Sequence, residues 1–257
     1  MIPRKLIAFF ICLLLFPFLA GDAARPEKYL DGEGKQVRRA LEGIAMRRVR
    51  SFIPPKKNAH PRKNTNKKRR GKARIAYPHS SRADLRRWEK LLSRTPSRYG
   101  MFVSIFDRRT RKLIGCMGGL HPTRDNLLAE VEHWTNIALL HDPRRLQGNR
   151  RKSPLARDAG RALLIITLIE RVESAGHFME VDSIRHGLMV RYRGRAELVL
   201  PGEAHTSGYA FRMLRRKLGL KNIPRSGLEY YRVRAVRFGT AKRLFQPGRA
   251  GFRGYGG

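Results

Sequence analysis

The sequence has few cysteines, and this scarcity limits what can hold the fold together. Only Cys12 and Cys116 are present among 257 residues, and Cys12 lies in an apolar N-terminal segment that we predict to be removed. Cys116 is then the single thiol of the mature chain, which excludes an intrachain disulfide framework. An unpaired thiol in an oxidising compartment is buried, reactive, metal-bound or paired with another molecule.

Acidic residues are scarce as well. The chain has 20 Asp and Glu against 56 Lys and Arg, a formal net charge of +36, and none of the acids lies between Gly43 and Ala83. Within that interval, residues 54–75 are rich in Pro, Asn, Lys and Arg, which predicts a disordered basic insertion. Such charge attracts polyanions. No aromatic residues interleave for base stacking, so the pattern predicts no specific nucleic-acid motif.

Long apolar runs are missing except at the N-terminus. Leu6–Ala20 reads "LIAFFICLLLFPFLA", with basic residues before it and the small residues "GDAA" after it. The run is short for a bilayer span and has the flanks of a secretory signal, so residues 1–23 are predicted to be a signal peptide. The alternative is an uncleaved membrane anchor, which Pro17 and the prompt polar stop disfavour. In either case we expect the remaining chain to be exported, periplasmic or secreted.

Motifs of common enzyme classes are also absent. No Ser-His-Asp pattern, phosphate-binding loop or paired-carboxylate motif occurs, so hydrolase and nucleotide-binding functions lack support. A metal site built from Cys116, His121 and either His133 or His141 matches no known ligand spacing, and none is predicted. The sequence leaves any cofactor and the oligomeric state unknown.

The remaining pattern predicts helices and hairpins in mixed order. Apolar residues at helical spacing predict a helix over Lys35–Ile53 and another that Asp125 caps and that runs through Leu140. The other predicted elements are a helix at Ala83–Leu92, a hairpin of Met101–Phe106 with Lys112–Met117, a buried strand at Leu163–Ile169, a hairpin of Gly187–Tyr192 with Ala196–Leu200, a helix at Ser207–Leu218 and a last strand around Tyr231–Ala235. This order indicates an α+β domain over residues 30–240, followed by a disordered Gly/Arg-rich tail at 241–257.

Several motifs, in order, resemble the AMMECR1 domain family. They are "GMFVSIFDRRTRKLIGCMGGLHP", "ALLHDPR", "RHGLMV", "LVLP", "KLGL" and "YYRVRAVRF". The resemblance implies a two-subdomain α+β fold with antiparallel hairpins packed against helices, in which the larger subdomain carries the Gly-Cys-Gly segment. It implies little about activity, since redox or radical-linked enzyme, protein-binding and nucleic-acid roles have all been suggested for the family. The chain departs from the family pattern at Ile114, usually arginine, and at Arg145, usually phenylalanine.

Two residues are candidate catalytic groups. Cys116, set among glycines in a positive field, is a candidate nucleophile, and the alternative is a buried small hydrophobe. His186 is a candidate general base, and the alternative is a ring that satisfies backbone groups where a strand begins. The candidate substrate-binding residues are Gly115, Gly118, Arg144 and Arg185.

These observations leave two functions open. The first is an exported enzyme or redox protein that works through Cys116 on an anionic substrate. The second is a non-catalytic binding module whose basic loops hold an anionic partner such as lipid head groups, envelope polymers or nucleic acid. A protein partner is a further possibility. Whether the chain is an enzyme is left undecided by the sequence.

Overall fold

The structure is a computed structural model that describes residues 32–51, 81–142, 161–222 and 227–240. Its helices are α1 (Gly32–Ser51), α2 (Arg82–Arg94), α3 (Leu127–Leu140) and α4 (Ser207–Leu218), and a short 3-10 helix spans Phe178–Glu180. Its strands are β1 (Gly100–Asp107), β2 (Leu113–Gly119), β3 (Ala162–Ala175), β4 (Gly187–Tyr192), β5 (Arg195–Val199) and β6 (Leu228–Phe238). The predicted signal peptide, the basic insertion at 54–75, Arg144, Arg145 and the tail at 241–257 lie outside the described residues.

The six described strands form one antiparallel, curled sheet in the order β2-β1-β3-β6-β4-β5. The two longest strands, β3 and β6, lie side by side at its centre. Hairpins at either end, β1–β2 and β4–β5, complete the sheet. The α+β fold class and the hairpins predicted from the sequence are thereby confirmed.

The larger hydrophobic core lies between the β2-β1-β3 end of the sheet and the first three helices. Its helical residues include Leu41 and Ile44 of α1, which have no exposed surface, and Val131 of α3. On the sheet, Val103 and Ile166 pack into the same cluster. These residues recur at helical spacing on α1 and alternate along the strands, so each element buries one face.

The smaller core lies between α4 and the other end of the sheet. Leu214 and Phe211 of α4 pack against Leu188 and Val190 of β4 and against Tyr230 of β6. Phe178, in the 3-10 helix, stacks on Phe211 with ring centroids 4.3 Å apart. Two cores on one continuous sheet match the two-subdomain arrangement that the resemblance implied.

Both cores use the same face of the sheet. On β6, Phe238 packs into the larger core and Tyr230 into the smaller one, and these two residues share a face because they are an even number of positions apart. We call this the helix face. The opposite face carries Val233, with Phe102, Cys116 and Met189 in the same cluster, and we call it the Cys116 face.

Several predicted boundaries are corrected, and the last strand runs over Leu228–Phe238 rather than Tyr231–Ala235. The N-cap of α3 is Asn126, not Asp125, because the Asn126 Oδ1 atom accepts the Ala129 N–H at 3.0 Å. The strand predicted at Leu163–Ile169 continues to Ala175, past a bulge between Ile169 and Arg171. Beyond Ile169 the apolar run gives way to charged residues, so apolar content alone underestimates the length of β3.

Candidate functional site

Cys116 lies in β2, an edge strand of the sheet. It is half-buried and forms no disulfide. Its side chain is on the Cys116 face, where it packs against a cluster that includes Ile169, Met189 and Val233. Cys116 is thus a partly exposed residue whose side chain is on the side of the sheet away from the described helices.

The sulfur of Cys116 has a hydroxyl neighbour in the adjacent strand. Ser104 is directly opposite Cys116 in the β1–β2 ladder, and its Oγ atom donates to the Cys116 Sγ atom over 3.1 Å. Ser104 is 2% exposed, so this contact is largely shielded from water. A hydroxyl that donates to sulfur stabilises negative charge on it.

The backbone of Cys116 is tied to the end of α3. Its N–H donates to the Oδ2 atom of Asp142 over 2.7 Å, and Asp142 has no exposed surface. Since Cys116 belongs to the Gly-Cys-Met-Gly segment and Asp142 to the "HDPR" segment, two separate sequence motifs meet at this bond. The predicted helix stop is thus also an anchor for the strand that carries the thiol.

Glycines beside Cys116 are explained by close packing within the protein. A Cβ atom on Gly115 would lie 2.2 Å from the Ala138 carbonyl oxygen of α3. On Gly118 it would lie 2.4 Å from the Phe102 ring. Close packing against α3 and β1 thus accounts for both glycines, and the substrate-binding role assigned to them stays a prediction.

Further polar side chains share the Cys116 face. Thr167 of β3 is fully buried, and it pairs in register with Phe102 on one side and Arg237 on the other. The guanidinium of Arg237 donates to the Pro201 carbonyl oxygen beyond β5. The Arg237 guanidinium and the hydroxyls of Ser104 and Thr167 are therefore among the polar groups that lie along this face with the thiol.

The loop after β2 is held by a buried carboxylate that the sequence did not reveal. Glu130 of α3 has no exposed surface. It accepts the backbone N–H groups of Thr123 at 2.9 Å and Arg124 at 2.7 Å, and the Trp134 Nε1–H at 2.7 Å. This fixes the loop that follows the Cys116 strand against α3.

His186 is not brought next to Cys116. It lies just before β4, and three strands, β1, β3 and β6, separate β4 from β2. Its charged neighbours are on the helix face: burial and the nearby Arg232 and Arg234 guanidinium groups lower the pKa of His186. Arg185 is exposed and pairs with Asp182 at 3.5 Å. The catalytic and binding roles assigned to these residues stay predictions.

The other predicted histidines lie after β2 and along α3. His121 is exposed in the loop after β2, and His141 is the exposed C-cap of α3. The His133 Nδ1 atom lies 3.0 Å from a guanidinium nitrogen of Arg124. Within the described ranges, no group of three or more His, Cys, Asp and Glu residues is placed to hold a metal ion. No described helix is long and apolar enough to cross a bilayer.

Comparison with known proteins identifies the fold. The model of the AMMECR1 family matches residues 45–241. The structure is similar to the crystal structure of an uncharacterised protein from Pyrococcus horikoshii, with a TM-score of 0.51 and 15% sequence identity over 79% of this chain and 90% of that one. No match was found among curated proteins.

Proposed function

Because the chain belongs to the AMMECR1 family, and the family's sequence signature is centred on Cys116, we propose that this protein acts through the Cys116 thiol on an anionic substrate. The observation that carries the proposal is the 3.1 Å contact between the Ser104 Oγ and Cys116 Sγ atoms. Cys116 is half-buried rather than fully buried, and the proposal requires that a substrate reach its sulfur. We further propose, from the N-terminal sequence, that the protein acts after export.

The reaction we propose is nucleophilic attack by sulfur. The Cys116 thiol gives its proton to water, and the thiolate electron pair forms a bond to an electrophilic carbon whose own π pair moves to its oxygen. Ser104 supports this step because its hydroxyl donates to the sulfur and stabilises the thiolate. Arg237 on the same face and the net charge of +36 favour an anionic substrate.

Alkylation of the native full-length protein tests this function. Iodoacetamide is neutral and iodoacetate is an anion, and mass spectrometry of the Cys116 peptide separates its modification from that of Cys12. We expect Cys116 to react with both reagents. The ratio of its rate with iodoacetate to its rate with iodoacetamide should be about tenfold higher than the same ratio for free cysteine. Cys116 that stays unmodified at pH 9 in the native state but reacts in urea would overturn the proposal.

A matched pair of serine variants tests the role of the hydroxyl. Ser104→Ala removes the donor to sulfur, and we expect alkylation at pH 7 to slow by about tenfold, since a hydrogen bond to a charged group contributes about 1.5–3 kcal/mol. Ser174→Ala is the control, because Ser174 is an exposed residue of β3 on the same face. Equal rates in both variants would show that Ser104 does not activate the thiol.

A second candidate function is the binding of an anionic partner without catalysis. It is favoured by α4 and the β4–β5 turn, where exposed cations include Arg193, Arg195, Arg212 and Arg216, and by the lack of any acidic residue between Ala204 and Leu228. Binding to phosphatidylglycerol vesicles should then weaken steeply with salt. Cys116→Ser separates the candidates, because it leaves such binding intact and abolishes thiol chemistry.

A further inference from the structure

The two central strands, β3 and β6, carry charged residues between the two hydrophobic cores. On the helix face of β6, Phe238 and Val236 belong to the larger core and Tyr230 to the smaller one, and the positions between them are Arg234 and Arg232. On β3, Glu170, Arg171 and Glu173 likewise lie between Leu168 of the larger core and Ala175 of the smaller one. Arg171 pairs in register with Arg234 and lies 3.4 Å from Glu173. We call these five charged residues, Glu170, Arg171, Glu173, Arg232 and Arg234, the polar band.

The polar band is flanked by one basic side chain from each subdomain. Arg38 of α1 places its guanidinium 5.8 Å from the centre of the Phe238 ring. His186 lies just before β4, and the charges that act on its pKa are Arg232 and Arg234, which lower it, and Asp182 and Glu173, which raise it. The band is therefore bordered by Arg38 on the side of the larger core and by His186 on the side of the smaller one.

Burial and nearby charges act in opposite directions on the pKa of one carboxylate in the band. Desolvation raises the pKa of Glu170, although the neighbouring Arg234 and Arg38 act to lower it. Glu170 is also the extra residue of the β3 bulge, since Ile169 pairs with Ala235 and Arg171 with Arg234. Bulges often re-aim a side chain near a functional site.

Only part of the band's hydrogen-bonding capacity is used within the protein. The Arg234 Nε atom donates to Glu173 at 3.2 Å, and the Arg232 Nη2 atom donates to the Glu180 carbonyl oxygen at 3.1 Å across an exposed contact. By contrast, the Arg38 Nη2, Arg232 Nε and His186 Nδ1 atoms are buried and lack a hydrogen-bond partner among the described residues.

Buried nitrogen atoms without a hydrogen-bond partner are unusual in folded proteins. A buried donor left without an acceptor costs about 1–3 kcal/mol, and more when the group is charged. Here three unpartnered nitrogen atoms occur around one band, and two of them belong to arginines. Arg38, Arg171, Arg232 and Arg234 outnumber Glu170, Glu173 and the nearby Asp182 by one positive charge. The region is thus short of acceptors and of negative charge.

We propose that the polar band is a binding site for an oxyanion, the carboxylate or phosphate group of a small ligand, held by Arg232, Arg234 and His186. Because the Arg232–Glu180 contact is exposed, a ligand oxygen can replace the Glu180 carbonyl oxygen as the acceptor for Arg232. The Arg232 guanidinium is then free to turn toward the band. The site is on the helix face, whereas Cys116 is on the opposite face. The inference therefore does not depend on the proposed thiol function.

Titration with inorganic phosphate and with acetate tests the site, followed by NMR of the His186 ring. The His186 signals are assigned with His186→Gln. We expect saturable shifts that fit one site, and a rise in the pKa of His186 because the bound anion stabilises its charged form. Saturation by phosphate alone, by acetate alone or by both identifies the preferred group. Shifts that grow linearly with both salts, or no shift with either, would overturn the proposal.

Arginine variants distinguish this site from general attraction to a basic protein. Arg232→Gln should weaken phosphate or acetate binding at least tenfold, and Arg234→Gln should weaken it in the same direction. Arg216→Gln, an exposed position on α4, is the control and should change binding less than twofold. Circular dichroism confirms that each variant is folded. Equal weakening in Arg216→Gln, or no change in both band variants, contradicts the inference.

Discussion

Glu130 shows how much a single buried side chain can organise in this protein. Its carboxylate has no exposed surface and accepts hydrogen bonds from four donors, the backbone N–H groups of Thr123 and Arg124, the Thr123 hydroxyl and the Trp134 indole. That loop continues directly from the strand of Cys116. A buried carboxylate is tolerated where its oxygen atoms are this well satisfied.

Replacing Glu130 should therefore be strongly destabilising. Glu130→Ala leaves three N–H donors and one hydroxyl without this acceptor, and at about 1–3 kcal/mol for each buried donor we expect the free energy of unfolding to fall by about 3 kcal/mol or more. Glu132→Ala is the matched control on the same helix, because its ion pair with Arg47 is partly exposed and contributes at most about 1 kcal/mol. Urea denaturation measures both, and similar losses would contradict this account.

The sequence identified Cys116 as a candidate residue but did not indicate the residues that contact it. Cys116 was identifiable because it is the single cysteine outside the apolar N-terminal segment and lies among glycines. Ser104 and Asp142, which bind its sulfur and its N–H group, are 12 and 26 residues away along the chain. Only the strand register and the packing of α3 bring them together, and neither leaves a local sequence signal.

Among the elements, those with local end signals were predicted best. The helix α4 has the predicted bounds because Thr206 caps its first turn and Gly219, at a φ of 73°, ends it. The strand β3 was predicted too short because its second half is charged. Those charges lie between the two cores, where a strand can remain paired without burying apolar side chains on both faces.

Contact between β2 and α3 makes Gly115 sensitive to the smallest substitution. Gly115→Ala would place a Cβ atom 2.2 Å from the Ala138 carbonyl oxygen, so backbone must shift. We expect a loss of about 1–3 kcal/mol in the free energy of unfolding, as for other overpacked sites.

Gly208→Ala is the corresponding control in α4. There a Cβ atom meets nothing nearer than an Arg212 nitrogen at 3.9 Å, and alanine is the better helix former. We expect a gain of about 0.5–1 kcal/mol. Thermal or urea denaturation distinguishes the two, and a neutral Gly115→Ala would show that α3 is free to move away from β2.

For the whole molecule, the decisive feature is that two hydrophobic cores share one sheet. Strands β3 and β6 each run from the larger core to the smaller one, and they pair with each other along most of their length. The sheet order places sequence-distant strands side by side, which the local pattern could not predict. Such shared strands couple the two subdomains, because neither core can lose its sheet without disrupting strands of the other.

This coupling predicts a single unfolding transition, and the two tryptophans allow it to be tested. Trp88 and Trp134 both pack against the larger core, so their fluorescence reports on that half alone. Leu214→Ala creates a cavity in the smaller core, where Leu214 is fully buried, and should cost about 2–5 kcal/mol. If the sheet couples the cores, the urea midpoint of tryptophan fluorescence shifts down together with that of circular dichroism. A fluorescence midpoint that does not move in Leu214→Ala would mean that the subdomains unfold independently and that the continuous strands transmit no stability between them.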